Sequence, residues 1–276
     1  MRSENKDEKT IEGFGKEWKF YSQNRLSDSD SRSYFNAYFE IFPWSKINSD
    51  SIGADIGCGS GRWAKFVAPR VGQLICIDPS NSIDVAKVNL TDFSNCKFIR
   101  ATIDRSEISP RSLDFAYSLG VLHHIPDTEA ALKDCVRLLK RGAPFLVYLY
   151  YAFDNRPLWF RLLWKISDFI RLFVCKLPFF LKIIITQLIA FLIYLPLSRL
   201  ALLFEYFGME VGSFPLSSYR RAGFYVMCTD SLDRFGTRLE HRYSRLQIQS
   251  MMEHAGLENI VFSDKSPYWC AVGLVK

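Results

Sequence analysis

The sequence predicts an α/β fold, a mostly parallel sheet finished by an antiparallel hairpin, and three observations predict it. Between residues 51 and 150, short apolar runs alternate with amphipathic stretches, the rhythm of a parallel sheet covered by helices on both faces. The last two apolar runs are separated only by residues 263–267, a connection so short that the two strands must pair antiparallel. A length of 276 residues, 49% of them apolar, supplies enough chain to bury a core and excludes general disorder.

In chain order, residues 1–12 read as a polar tail, and their charge excludes a signal peptide. Residues 13–46 are rich in aromatic side chains. Tyr34, Phe35, Tyr38, Phe39 and Phe42 recur at three- and four-residue intervals, which predicts an apolar helix face that packs on the domain edge or caps a ligand mouth. Strands are expected over 51–56, 74–77, 96–101, 113–118 and 144–151, with helices starting near Gly61, Ser82 and Asp127. Asp127 can cap a helix that runs to Lys140, with Gly142 placed to end it. Residues 244–254 form an amphipathic helix stopped by Gly256, and strands 257–262 and 268–275 complete a seven-stranded sheet. The chain thus divides into 1–46 (tail and capping helices), 47–155 (core), 156–243 (insertion and loop) and 244–276 (helix and hairpin).

The formal net charge is +6. Residues 156–207 hold seven bases and two acids in the stretch richest in Phe and Leu, so the rest is nearly neutral and presents no basic face for nucleic acid. Seven scattered cysteines show no CxxC and no paired Cys/His spacing, so neither a metal site nor a disulfide framework is expected. A reduced, cytoplasmic compartment follows.

The strongest motif is Gly53-Ala-Asp55-Ile-Gly57-Cys-Gly59-Ser-Gly61-Arg62. Glycines 57, 59 and 61 follow a strand and open a helix, where backbone can approach a ligand at the strand's carboxyl end. Asp78 closes the second strand, where a carboxylate accepts hydrogen bonds from both hydroxyls of a ribose. The third glycine of a dinucleotide fingerprint would fall on Arg62, and Asp55 would repel a pyrophosphate at the helix N-terminus. That carboxylate suits a phosphate-free ligand with a cationic amino-acid end, such as S-adenosylmethionine (SAM).

On these residues the sequence resembles the class I SAM-dependent methyltransferases of bacterial small-molecule type, over 51–150 and again over 244–276. DIGCGSG matches their first motif and ICIDPS their second-strand motif. LDFAYSLGVLHHIPD and LKDCVRLLKRGAPFLVYLY match the fourth strand through the fifth. The resemblance implies a Rossmann-like core and SAM as cofactor, with S-adenosylhomocysteine as product. It implies that Asp55, Gly57 and Gly59 line the methionine moiety, Asp78 binds ribose, and Pro79 and Ser80 border the adenine. Thr102 and Ile103 would sit at the adenine edge, where the family often has an Asp, with Asp104 reaching in if Thr102 does not serve. Ser118 and Leu119 would touch the methionine end through backbone atoms.

Methyl transfer is an in-line displacement, in which a hydroxyl acceptor benefits from a base. His123 and His124 follow the fourth strand at the rim where ligands bind, and similar HHxPD sequences occur in methyltransferases acting on sugars and natural products. His123 is the first choice of the two. Tyr150 and Tyr151 stand where some relatives carry a carboxylate, so no carboxylate-assisted step is expected. In the charged stretch 229–243, similar bacterial methyltransferases carry an Asp, here Asp233, facing the acceptor pocket, and Arg234 and Arg242 suit a phosphate- or carboxylate-bearing acceptor. The stretch could equally form a salt-bridged surface loop, and Tyr219, Arg220 and Tyr225 could add stacking for a sugar ring. The expected activity is O-methylation of a small molecule, a sugar or a lipid-linked glycan. A quinone or lipid methyltransferase and a non-catalytic SAM-binding module are the alternatives. The base-clamping NPPY-like pattern of nucleic-acid methyltransferases is missing after the fourth strand.

Residues 156–207 form the apolar insertion. Arg161, Lys165, Asp168 and Arg171 share one helix face, opposite Leu162, Leu163, Ile166, Phe169 and Phe173. A second segment runs between Pro178 and Pro196, about 25 Å if helical, which is short of a bilayer crossing. The insertion is therefore expected to roof the acceptor pocket, to rest on an anionic membrane surface as a peripheral protein of the cytoplasmic face, or both.

Overall fold

The computed structural model describes residues 5–23 and 28–276, so residues 1–4 of the expected tail lie outside the described residues. The chain falls into two compact units, Met1–Ala152 with Leu239–Lys276, and Phe153–Arg238. The stretch 239–243, grouped at first with the insertion, lies with the first unit.

In the first unit the polar tail ends earlier than its composition suggests. Helix α1 (Glu8–Phe20) begins inside it, because Asp7 caps the helix by accepting from the Thr10 amide at 2.8 Å. Helix α2 (Asp28–Tyr38) buries Phe35, and Phe39 and Phe42 follow it into the core. Strands β1 (Ile52–Ile56), β2 (Gln73–Ile77), β3 (Cys96–Ile99), β4 (Phe115–Leu119) and β5 (Pro144–Tyr148) are parallel; β6 (Leu257–Phe262) and β7 (Ala271–Val275) are the antiparallel finish. Their order across the sheet is β3-β2-β1-β4-β5-β7-β6, so the chain reverses direction of travel beside β1 and β4. That switch point is where open α/β sheets bind ligands.

Helices α3 (Ala64–Val67), α4 (Ser82–Asn89), α5 (Thr128–Arg137) and α10 (Arg245–His254) connect the strands. Asp127 caps α5 as expected, but α5 stops at Arg137, and Gly142 (φ 75°) serves the later turn into β5. Ser244 and Gln247 form a reciprocal capping box on α10, and Gly256 (φ 95°) ends it. Strand β5 is shorter than 144–151 because the backbone of 150–152 turns to bond Tyr243 instead. The hairpin strand likewise starts at Ala271 rather than 268.

Alternate residues of each strand enter two different apolar clusters. Ala54, Ile75, Ile77, Ala116, Phe145 and Val147 face α5 and α10; Leu74, Cys76, Phe115, Tyr117 and Leu146 face the aromatic residues of α2 and its successor loop. The seven cysteines are free thiols, six of them buried, and act as small apolar residues.

The second unit is helical: α6 (Leu158–Val174), α7 (Phe179–Ile189), α8 (Leu195–Tyr206) and α9 (Phe224–Gly236). The expected break at Pro196 does not occur. A π-helical turn over Ala190–Tyr194 links α7 to α8, and Pro196 sits in the first turn of α8, where its missing N–H costs little. The result is one helix, Phe179–Tyr206, of 28 residues, long and apolar enough to cross a membrane. The length argument against crossing therefore no longer applies.

Gly53 on β1 lies opposite Phe115 on β4, and a Cβ there would drive into the Phe115 ring. Gly53→Ala is expected to cost about 1–3 kcal/mol by overpacking. Adding Phe115→Leu should recover part of that loss, as thermal or urea unfolding of both variants would report.

Candidate active site

The loop after β1 is shaped by close approach. Gly57, Gly59 and Gly61 all have positive φ (76°, 53° and 78°), which favours glycine. Space is equally restrictive at Gly57, where a Cβ would lie 2.5 Å from Val121 Cγ2 in the loop after β4. At Gly59 a Cβ would press on the Trp18 indole at 3.1 Å. The amides of Gly57 and Cys58 both donate to Ile77 O, which ties the loop to the end of β2.

Beneath this loop sits Asp55, 1% exposed, with Oδ2 making no hydrogen bond. Burial pushes its carboxyl up to about 8, with Asp78 adding to the rise; the nearby Tyr117 hydroxyl tempers it without reaching hydrogen-bond geometry. Asp78, at the end of β2, accepts from Gly59 N at 3.0 Å, Ser80 N at 2.8 Å and Ser80 Oγ at 2.6 Å. Ser80 is fixed in turn by Ser82 at 2.7 Å. An acid waiting for a cation, a second acid oriented at the strand end and a backbone that admits no side chains are the features a phosphate-free nucleoside with an ammonium group requires. The residues therefore fit SAM.

The other expected cofactor residues separate into two kinds. Pro79 lies beside Ser80, and Thr102 precedes the short 3-10 turn Ile103–Arg105 after β3. Ile103 itself is buried in the apolar cluster with Leu122 and Leu132, so its side chain serves the core. Ser118 spends its hydroxyl on Ile56 O at 2.9 Å, leaving backbone as what it and Leu119 can offer a ligand.

A second cluster gathers at the carboxyl ends of β4 and β5. His123 is fully buried, stacks on Tyr150 at 3.9 Å and lies 4.0 Å from the His124 ring. Burial holds His123 well below the usual imidazole range, helped by the neighbouring charges of His124, Arg242 and His241, so it is neutral. Its Nδ1 accepts from Tyr150 N at 3.4 Å, which puts its proton on Nε2. His124 has the opposite tautomer: Nδ1 lies 2.7 Å from Leu239 O, an acceptor only, so Nδ1 donates and Nε2 carries the lone pair. Arg242 is held by Glu240 at 2.7 Å and by Tyr151 O, with its guanidinium 4.9 Å over the Tyr150 ring.

The remaining predicted acceptor residues lie in the second unit. Arg234 is taken by Asp168 at 3.4 Å and by the Trp164 ring, Asp233 by Thr237, and Arg220 by Glu205 at 2.9 Å. Tyr219 packs on Tyr194, and Tyr225 O accepts from Thr229. Among the described residues, no group of three His, Cys, Asp or Glu is placed to hold a metal ion.

Sequence reasoning missed the contribution of α1. Phe14 lies 4.9 Å from the His124 ring, Gly15 packs on Ser80 and Asn81, and Trp18 covers Gly59. One helix face thus touches the loops after β1, β2 and β4. The spacing Phe14, Trp18, Tyr21 was the available signal.

Asp55→Asn should weaken SAM binding by about 10- to 100-fold, the worth of a charge-assisted hydrogen bond. Because the folded carboxyl titrates near 8 and the unfolded one near 3.8, the stability it carries is complete below the lower value and drains as pH rises to the upper. Thermal melts of the ligand-free protein should therefore fall between about pH 5 and pH 8, and fall less in Asp55→Asn. Asp78→Ala, which removes the carboxylate expected to meet the ribose hydroxyls and one anchor of the loop, should cost SAM affinity ~100-fold or more by calorimetry.

Residues 54–147 match the model of a family described as a methyltransferase domain. The ubiquinone biosynthesis O-methyltransferase of Nitrosomonas europaea is 30% identical over 139 residues, covering 46% of this chain and 57% of that protein. The protein of the same name from Vibrio cholerae is 28% identical over 105 residues, 37% of this chain and 41% of that one. The chain thus spans about half the length of the curated relatives it matches. Among solved structures, a phosphoethanolamine N-methyltransferase of Haemonchus contortus, solved with S-adenosylhomocysteine, superposes with TM-score 0.50 at 16% identity over 92% of this chain and 43% of that one, a likeness of fold. With the sheet order and the glycine loop, these matches identify the chain as carrying a class I SAM-dependent methyltransferase domain.

Proposed function

We propose that the protein transfers the methyl group of SAM to a hydroxyl on a ring-bearing, lipid-soluble acceptor of quinol type, with His124 as the base. The observation that carries this reading is the His124 Nδ1 to Leu239 O hydrogen bond, which leaves the lone pair on Nε2. When bound, SAM supplies an electrophilic methyl group on a sulfonium. The chain's own residues do the rest. Asp55 would meet the ammonium and Asp78 the ribose hydroxyls. His124 Nε2 would take the proton that the acceptor oxygen loses as its new bond to carbon forms. His123, protonated on Nε2, can donate a hydrogen bond but cannot accept a proton there, so the tautomers favour His124 over the neighbour first preferred.

Phe14, Tyr150 and Tyr148 set aromatic surfaces around the histidines, and Arg242 supplies a fixed positive charge that favours an ionising phenol. The names of the relatives, ubiquinone biosynthesis O-methyltransferases, support a quinone or lipid acceptor over a sugar.

His124→Ala is expected to lower kcat by ~100-fold or more with SAM affinity unchanged. His123→Ala should act mainly on KM. The substrate class is tested by incubating the full chain with methyl-labelled SAM and two acceptor pools, catechol-type prenylated phenols and water-soluble sugars. Label in the organic extract supports the reading. Label only on the sugars, or no S-adenosylhomocysteine formed with either pool, overturns it.

A further inference from the structure

The second unit is packed inside out. Along the continuous helix Phe179–Tyr206, the buried line is Thr186, Ala190, Tyr194, Ser198 and Ala201, at most 6% exposed and, apart from the Tyr194 ring, small. This line faces α9, whose Ser231 hydroxyl donates to Thr186 O at 2.9 Å. The opposite line, Phe180, Ile184, Leu188, Phe191 and Leu192, is exposed. Helix α6 repeats the arrangement. Leu162, Ile166, Phe169 (63% exposed) and Phe173 look outward, while Arg171 turns inward to Thr237 O and Arg238 O and Asp168 pairs with Arg234. A helix in water buries its apolar stripe and exposes its charges. Small residues and hydroxyls between helices, with large apolar side chains outside, is how helices pack in lipid.

Charge distinguishes a bilayer from a protein partner. On the long helix, Lys182 is taken by Gly236 O at 2.9 Å, Arg199 by Ala222 O at 3.1 Å and Glu205 by Arg220 at 2.9 Å. Residues 183–198 carry no charge, a run of ~24 Å. Arg161 and Lys165, by contrast, are exposed; at about 100° per residue they border the Leu162–Phe173 stripe rather than standing opposite it, and they make no ion pair among the described residues. Cations that flank an apolar helix face place their alkyl stems over it and their heads at the phosphates of anionic lipids.

Topology limits the depth. The backbone enters the insertion at Tyr151 and returns at Tyr243, and these residues bridge one another, so any crossing needs a second one back. The return helix α9 carries Asp230, Asp233 and Arg234, which a hydrocarbon core disfavours. We infer that the outward faces of α6, α7 and α8 insert into one leaflet of an anionic lipid bilayer without crossing it. This inference goes beyond the proposed acceptor and does not depend on it.

The test is co-flotation of the full chain with vesicles of phosphatidylcholine alone or mixed with phosphatidylglycerol, with SAM binding and helical circular dichroism recorded as controls of folding. The full chain should float with the mixed vesicles. Arg161→Glu with Lys165→Glu should weaken that binding by about thirtyfold or more. Phe169→Asp with Ile184→Asp should abolish flotation on both compositions with SAM binding intact. A full chain that binds SAM yet stays at the bottom with both vesicles overturns the inference. So does a stable dimer in sedimentation that Phe169→Asp converts to monomer, because the face would then belong to a second copy.

Discussion

A carboxyl group buried without a partner is the constraint on which the rest of the site depends. Asp55 is enclosed between the sheet and the glycine loop, and burial keeps it protonated in the ligand-free protein. In the proposed reading, the surroundings serve to bring a cation to it. Glycines must occupy 57 and 59 because Val121 and Trp18 fill the space where side chains would stand. Asp78 holds the loop amide of Gly59, adding to the Gly57 and Cys58 amide bonds to Ile77 O that orient the loop over the acid. The cost of burying an acid is recovered only when a positive group arrives, which makes affinity and specificity one property.

The sheet, its parallel order and its antiparallel finish were legible because strand periodicity and the very short 263–267 connection are local signals. Asp55, Asp78 and the glycines could be picked out as candidates for the same reason, since each sits at the end of a strand legible in the sequence. What escaped was nonlocal. The roles of His123 and His124 depend on the carbonyl of Leu239 and the amide of Tyr150, both distant in sequence, and no pattern around HHxPD encodes which ring nitrogen bears the proton. Likewise Ile103 looked like a strand-end ligand contact until packing against α5 claimed it. Helix α1 was half legible: its aromatic spacing was plain, but Asp7 as its cap was hidden inside a polar stretch.

The insertion shows how a proline can mislead. Pro196 reads as a break because a helix interior tolerates proline poorly. A π-helical turn just before it shifts the hydrogen-bond register, and the helix continues for another full segment. The same segment explains why composition alone left its role open. Apolar content is identical for a roof and for a lipid-facing bundle; the inward line of Thr186, Ser198 and Ser231 is what supports the lipid-facing reading inferred above. Three charged residues expected to meet an acceptor, Arg220, Asp233 and Arg234, hold partners inside the helical unit: Glu205, Thr237 and Asp168.

The most direct measurement is the proton balance of donor binding, read as the dependence of the calorimetric enthalpy on buffer ionisation at about pH 6.5. Ionisation of Asp55 against the incoming ammonium requires close to one proton to be released per SAM bound by the wild-type chain and none by the asparagine variant. An enthalpy independent of buffer, or one equally dependent in both proteins, would contradict the account.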